Sequence, residues 1–372
     1  MRSLTQLLDS MTVDGELYET LPDEAVRCFA CGHRCLIREG RRGICKVRLN
    51  DNGVLQVPWG YVGALQCDPI EKKPFFHLYA GMDALTFGML GCDFHCSNCQ
   101  NWVSSQALRD PASDFAESNV RRITPKEIVK YGINLGAKVI ASSYNEPLIT
   151  TEWAIAVFDE AKKAGLLNAF ISNGNATREV LDYIKPYVSG FKIDLKTMQD
   201  KQYRRLGGVL QQVLDAIGLV YEMGFWLEVV TLVIPGFNDN VDELMDAART
   251  IYAISPDIPW HVTAFHKDYK MTAPPNTAVE TLIRAAEIGQ EAGLNYVYAG
   301  NLPGRVEKYE NTNCPHCGIA VIKRFGYTII DYVITASGTC PKCGTTIAGI
   351  WTHDPDEVLK GMQHYQIPRP IH

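Results

Sequence analysis

Apolar residues follow two rhythms through the middle of the chain. Short runs rich in Val, Ile, Leu and Phe, at residues 137–142, 168–172, 188–195, 225–234 and 259–265, read as strands. Between them apolar positions recur at helical spacing over 151–164, 176–185, 207–223, 241–254 and 277–292, which places one apolar stripe on each predicted helix. Another helix opens at Thr124-Pro125 with Glu127 in its first turn, combining an N-cap, a proline at the first helical position and an acid near the positive end of the dipole. An apolar run from Ala84 precedes all of these and opens into a loop after Gly91. Strand and helix alternating at this spacing predict an α/β fold with a parallel sheet and right-handed crossovers, about six βα units in all. Periodicity alone leaves a full eight-unit barrel open.

The loop after Gly91 carries Cys92, Cys96 and Cys99 in the spacing C-x3-C-x2-C. Thiolates favour zinc, copper(I) or iron–sulfur clusters. A [4Fe–4S] cluster takes four cysteines, so a loop supplying three leaves one iron open to a small molecule. Zinc knuckles, the bland alternative, usually come as paired C-x2-C units. Eleven of the twelve cysteines lie in three such clusters, the others being Cys28, Cys31, Cys35 and Cys45, then Cys314, Cys317, Cys340 and Cys343. Cys67 stands apart and reads as a small apolar residue. The first four bound a segment too small to bury its own core, the kind that often needs a metal; zinc and a second iron–sulfur cluster both remain open there. The last four form two C-P-x-C-G knuckles, a strong ribbon signal, with zinc the first expectation and a rubredoxin-type iron the alternative.

The three-cysteine loop resembles the signature of the radical S-adenosylmethionine (SAM) superfamily. That resemblance implies a partial (βα)6 barrel whose unique iron chelates the amino and carboxylate groups of SAM, and reductive cleavage to a 5′-deoxyadenosyl radical. Asn98 departs from the family, where an aromatic residue commonly precedes the last cysteine. The order Cys28-x2-Cys31-x3-Cys35, then Cys45, then DPIEKKP at residues 68–74, is similar to a narrower group, the radical SAM protein of the AmmeMemoRadiSam system, related to pyruvate formate-lyase activating enzymes. DPIEKKP reads equally well as a solvated charged turn.

In such barrels chemistry sits at the C-terminal ends of the strands. Asn145 and Glu146 occupy the place of the family's GGEP-like motif, Glu146 matching the position that holds the SAM amino group. Ser172 and Asn173 match a turn facing SAM. Lys192, Asp194 and Lys196 alternate along FKIDLK, so a strand aims all three at one face. Buried charges of that kind are costly unless paired or bound to ligand. The resemblance assigns Asp194 and Lys196 to the ribose and carboxylate of SAM; activating enzymes can hold a monovalent cation between acidic residues there, and with Ile171 and Lys192 at two of the matching places the Lys192 ammonium is expected to replace it. Ile234, with Phe237, is expected along the adenine, and His266 near the deoxyadenosine end.

A net charge of -6 and a pI near 5.9, with no basic aromatic face, argue against a nucleic-acid binder. The N-terminus has no basic n-region with an apolar core, and there is no span of eighteen apolar residues, so neither secretion nor membrane insertion is expected and the cytoplasm is. The expected domains are an N-terminal four-cysteine segment at 1–80, the radical SAM barrel at 81–306, a zinc-ribbon or rubredoxin-like module at 307–352 and a tail at 353–372. The expected electron source is a flavodoxin or ferredoxin, or an adjacent cysteine site. The expected target is a glycyl-radical-type protein partner, or a substrate handled beside Memo-like and AMMECR1-like proteins. An electron-transfer protein with several clusters and no SAM chemistry is the competing class, and it gives the charges on FKIDLK no task.

Overall fold

In the computed structural model, which describes residues 3–361, the alternating runs build one eight-stranded sheet. Its strands are β1 (Ala64–Pro69), β2 (Asp83–Gly88), β3 (Val139–Ser142), β4 (Leu167–Ser172), β5 (Gly190–Asp194), β6 (Trp226–Val233), β7 (Trp260–Ala264) and β8 (Val297–Gly300). Sheet order follows chain order from β1 to β8, and β2 through β8 run parallel. The sheet is open, with β1 and β8 as its edges. Helices α1 (Pro125–Asn134), α2 (Thr151–Lys163), α3 (Arg178–Ile184), α4 (Leu210–Glu222), α5 (Val241–Ile254) and α6 (Val279–Glu291) lie between successive strands from β2 to β8. Every residue of β2, β3 and β7 is buried, as expected of parallel strands covered on both faces.

All six predicted strands are present, and two more flank them. β8 is only four residues long, and β1 pairs antiparallel with β2, Cys67 facing Leu85. Neither carries the long apolar run that marks a central parallel strand. Cys67 is buried in the core, as its solitary position suggested. The helix predicted over 207–223 begins at Leu210, after a separate short helix at Asp200–Leu206. Thr124 and Glu127 form a reciprocal capping box at the start of α1. No helix among the described residues is long and apolar enough to cross a membrane. Residues 362–372 of the expected tail lie outside the described residues.

The segment before β1 folds into short antiparallel strands whose Val26, Ile37, Leu55 and Val57 share one continuous core with Leu85 and Phe87 of β2. It therefore borrows the barrel's core instead of making its own. At the other end, β9 (Thr312–Asn313), β10 (Ala320–Phe325) and β11 (Thr328–Tyr332) form an antiparallel sheet. Its Val321, Ile322 and Ile329 pack on Phe76, Met82 and Tyr298.

DPIEKKP is no solvated turn. Glu71 is fully buried, accepts the Gly81 N–H at 2.8 Å and stands 3.7 Å from the equally buried guanidinium of Arg324 on β10. Arg324 lies over the Phe76 ring and donates to the Phe76 carbonyl and the Thr312 hydroxyl. From Thr312 the chain of hydrogen bonds continues through Tyr298 to His77, whose Nδ1–H donates to the Ala348 carbonyl. Replacing Arg324 with Met removes the guanidinium that stands against the buried Glu71 carboxylate. We expect a loss of about 3–5 kcal/mol in chemical unfolding. Burial holds the His77 imidazole down at about 4, below the ordinary 6.5 of an exposed ring. A depressed histidine contributes stability that is complete above the unfolded value and is lost as pH falls through the folded one. Unfolding titrations between pH 7 and pH 4 are thus expected to show an acid limb that His77→Gln flattens.

Candidate active site

The parallel strands end together at one edge, and the cysteine loop leaves β2 at that edge. Gly91 makes the turn possible: its φ is +95°, and a Cβ there would meet Val47 Cγ1 at 2.7 Å and the Cys45 carbonyl at 3.0 Å. The loop is then tied down at several points. Arg109 donates to the carbonyls of Cys92 and Phe94 at 3.0 and 2.6 Å, the Lys270 N–H donates to the Ser97 carbonyl, and Cys99 Sγ lies 3.1 Å from the Ser105 hydroxyl.

Asp93, fully buried between the ligand positions, accepts from the side-chain amides of Asn173 and Asn175, each at 2.8 Å. Glu146, past the end of β3, accepts from the Ser172 hydroxyl at 2.7 Å, the Asn173 N–H at 2.7 Å and the Leu148 N–H at 3.1 Å. Burial, and then the neighbouring Asp93, push the Glu146 carboxyl up to about 8. An ammonium group placed against it would restore the carboxylate.

On β5 and just beyond, Asp194 takes an ion pair from each side, Lys192 through one oxygen and Lys196 through the other at 3.1 Å. The two ammoniums hold the Asp194 carboxyl down at about 2 against its burial. Burial lowers Lys192, whereas Asp194 and then Cys96 raise Lys196. Burial raises all three loop thiols, Cys96 to about 12, and Lys196 opposes the rise at Cys96 most directly. Thiols in such surroundings stay neutral until a metal takes the proton's place.

These groups line one cavity of about 680 Å³. The three cysteines, Asn145, Glu146, Ser172, Asn173, Asp194, Lys196 and Ile234 all form part of its wall. Asn145 is largely committed to the fold, its Oδ1 accepting the Met89 N–H and its Nδ2 donating to the Glu146 carbonyl. His266 is exposed and is not part of the wall; its Nε2 accepts from Gln100, which is part of it. Lys73 of DPIEKKP also reaches the wall, bonded to Asp68 at 3.2 Å and the Tyr144 hydroxyl at 3.1 Å. Sequence reasoning missed Asp93, Asn175 and Arg109, although the alternation Asn173-Gly174-Asn175 offers two amides of like orientation to one acceptor.

Metal-donor spacing separates the cysteine groups. The sulfurs of Cys314, Cys317, Cys340 and Cys343 lie within 4.8 Å of one another, and among the described residues this is the group of three or more potential ligands gathered so closely. Cys92, Cys96 and Cys99 are not in that group. Three thiols on one loop, all in the wall of a polar cavity, can supply three ligands to a cluster of several irons and leave one corner to the cavity.

The profile of the radical SAM superfamily matches residues 87–251, which hold the loop and β3 to β6. The chain belongs to the radical SAM superfamily. An uncharacterized protein of Methanocaldococcus jannaschii is 38% identical over 334 residues, 89% of this chain and 97% of that protein. The isethionate sulfite-lyase activating enzyme of Desulfovibrio desulfuricans is 24% identical over 180 residues, 46% of this chain and 57% of that enzyme. Among solved structures, a domain of a pyruvate-formate lyase-activating enzyme from Bacteroides vulgatus aligns at a TM-score of 0.38 and 18% identity, over 43% of this chain and 98% of that one. Its sequence similarity to the lyase activating enzyme relates this radical SAM chain to activating enzymes, and membership implies a [4Fe–4S] cluster and SAM.

Asp194→Asn is expected to leave Lys192, only 4% exposed, without its counter-charge. Urea unfolding at neutral pH should register a loss of about 3–5 kcal/mol, shrinking as rising pH lets the lysine shed its proton.

Proposed function

We propose that the chain is a reductively activated enzyme in which Cys92, Cys96 and Cys99 hold a [4Fe–4S] cluster and the cavity holds SAM. The observation that carries this reading is the set of charges facing one cavity beside the three thiols. Glu146 offers an acceptor for an ammonium, and Lys196, fixed by Asp194 next to Cys96, offers a donor for a carboxylate. A free α-amino acid end presents both groups, and opposite charges held at fixed places orient it more firmly than either alone. Ile234 and Phe237 supply an apolar wall suited to a purine. The bound cluster supplies one-electron reduction of SAM to methionine and a 5′-deoxyadenosyl radical.

The protein's part is binding, orientation and exclusion of water. The buried ends of β3, β4 and β5 provide low-dielectric walls, and the Ser172 hydroxyl and Asn173 N–H keep the Glu146 carboxyl aimed while SAM is absent. Relation to activating enzymes supports hydrogen abstraction from a partner protein at a glycine Cα. The resemblance to the AmmeMemoRadiSam group supports a substrate handled beside Memo-like and AMMECR1-like proteins. A flavodoxin or ferredoxin is the proposed donor and the cytoplasm the proposed setting. For the C-terminal module we favour zinc. Sulfur separations of 3.5 Å for Cys314–Cys343 and 3.7 Å for Cys317–Cys340 are near the roughly 3.8 Å that tetrahedral zinc–thiolate bonds of about 2.3 Å require.

The test is anaerobic. Wild type and Cys96→Ala are reconstituted, given SAM and dithionite, and assayed for 5′-deoxyadenosine and methionine. Equimolar products from wild type, with a loss of at least about a hundredfold in the variant, are expected. A wild type that binds SAM and carries its cluster yet yields no deoxyadenosine with dithionite or reduced flavodoxin would reject the proposal.

A further inference from the structure

The four cysteines before β1 are not part of the cavity, yet they are fastened to its most sensitive wall. Arg109, which holds the Cys92 and Phe94 carbonyls, also donates to the carbonyl of Ile44, the residue before Cys45. Gly91 packs its Cα face on the Cys45 carbonyl. The Gly32 N–H, beside Cys31, donates at 2.8 Å to the carbonyl of Asn175, whose side chain holds Asp93. A Cβ on Gly32 would lie 2.3 Å from Asn175 Oδ1, so the contact is as close as the backbone permits. One guanidinium and one amide therefore join the two cysteine groups.

The four-cysteine segment also has the surroundings of a charged sulfur site. Cys28, Cys31 and Cys45 are buried and Cys35 is half-buried. The Ile44 N–H points at Cys35 Sγ at 3.5 Å, and Arg48 Nη1 stands 3.8 Å from Cys28 Sγ. Arg48 is itself buried, doubly paired with Glu152 and bonded to the Ile149 carbonyl at 2.9 Å. Although already paired with Glu152, Arg48 keeps Nη1 within 3.8 Å of Cys28 Sγ, a contact that is stronger to a metal-bound thiolate than to a neutral thiol.

Spacing then selects the metal. Zinc needs its sulfurs about 3.8 Å apart, as the C-terminal knuckles have them. No three of Cys28, Cys31, Cys35 and Cys45 bring their sulfurs within 4.8 Å of one another. A four-iron cubane places each ligating sulfur on a different iron and so spaces its ligands more widely than a single zinc does. We propose that Cys28, Cys31, Cys35 and Cys45 bind a second, fully ligated [4Fe–4S] cluster beside the SAM-binding one. With four cysteine ligands it has no open iron for SAM. This goes beyond the proposed SAM chemistry and does not depend on it.

The experiment uses the full chain, purified and reconstituted without oxygen, as wild type and as the Cys92→Ala, Cys96→Ala, Cys99→Ala triple variant. Iron, acid-labile sulfide and zinc are counted per chain, and the reduced proteins are examined by electron paramagnetic resonance. Sulfide is the deciding count, because neither zinc nor a rubredoxin-type iron binds it. We expect about eight sulfides in wild type and about four in the triple variant, with a reduced-cluster signal that SAM does not alter. A wild type with only about four sulfides, or a folded triple variant with none, overturns the proposal. So do two zincs per chain in either protein. If the triple variant does not fold, the wild-type sulfide count alone decides.

Discussion

Polar groups buried at the ends of parallel strands must find partners, and in this protein a single carboxylate satisfies several of them at once. Asp93 sits between the first two cysteines of the loop and accepts from Asn173 and Asn175 at the end of β4. The Asn173 N–H in turn holds Glu146 from the end of β3, and the Asn175 carbonyl receives the N-terminal segment through Gly32. An unpaired buried carboxylate or amide would cost several kcal/mol. The network is therefore stable only when the loop, two strand ends and the N-terminal segment are all in place. Positions of the cysteine ligands are set by the same bonds that complete the fold.

The second constraint is charge. Lys192, Asp194 and Lys196 bring two ammoniums and one carboxylate to a wall that also carries Glu146. Pairing within the triad neutralises one lysine and leaves Lys196 beside Cys96 with charge to offer. That surplus gives the cavity its polarity: an acceptor at the end of β3 and a donor after β5, separated by the thiol loop. A cavity built for an apolar ligand would not tolerate these groups, and an electron carrier would have no use for their orientation.

The C-terminal module is no detached appendage. The side chains of Arg324 and Glu71 are both fully buried, and the hydrogen-bond chain from Thr312 through Tyr298 to His77 crosses from the C-terminal sheet to the large parallel sheet and back to Ala348. The DPIEKKP stretch thus serves two places, Glu71 standing against Arg324 of the C-terminal sheet and Lys73 reaching the cavity.

Much of the fold was legible because its causes are local. Apolar runs alternating with helical stripes announced β3 to β7, the Thr124-Pro125 start with Glu127 announced α1, and the two C-P-x-C-G knuckles announced the gathered sulfurs of Cys314, Cys317, Cys340 and Cys343. FKIDLK announced converging charge because a strand fixes the direction of alternate side chains. What the sequence could not carry were relations between distant segments. The antiparallel strand β1 and the short β8 are strands only because β2 and β7 offer free edges. Asp93 reads as an ordinary polar residue until Asn173 and Asn175 arrive opposite it. Glu71 reads as solvated until Arg324, some two hundred and fifty residues later, is buried against it. Sequence determined which atoms were available and in what local order; only tertiary packing decided which charges were buried, and burial is what obliges a charge to take a particular partner.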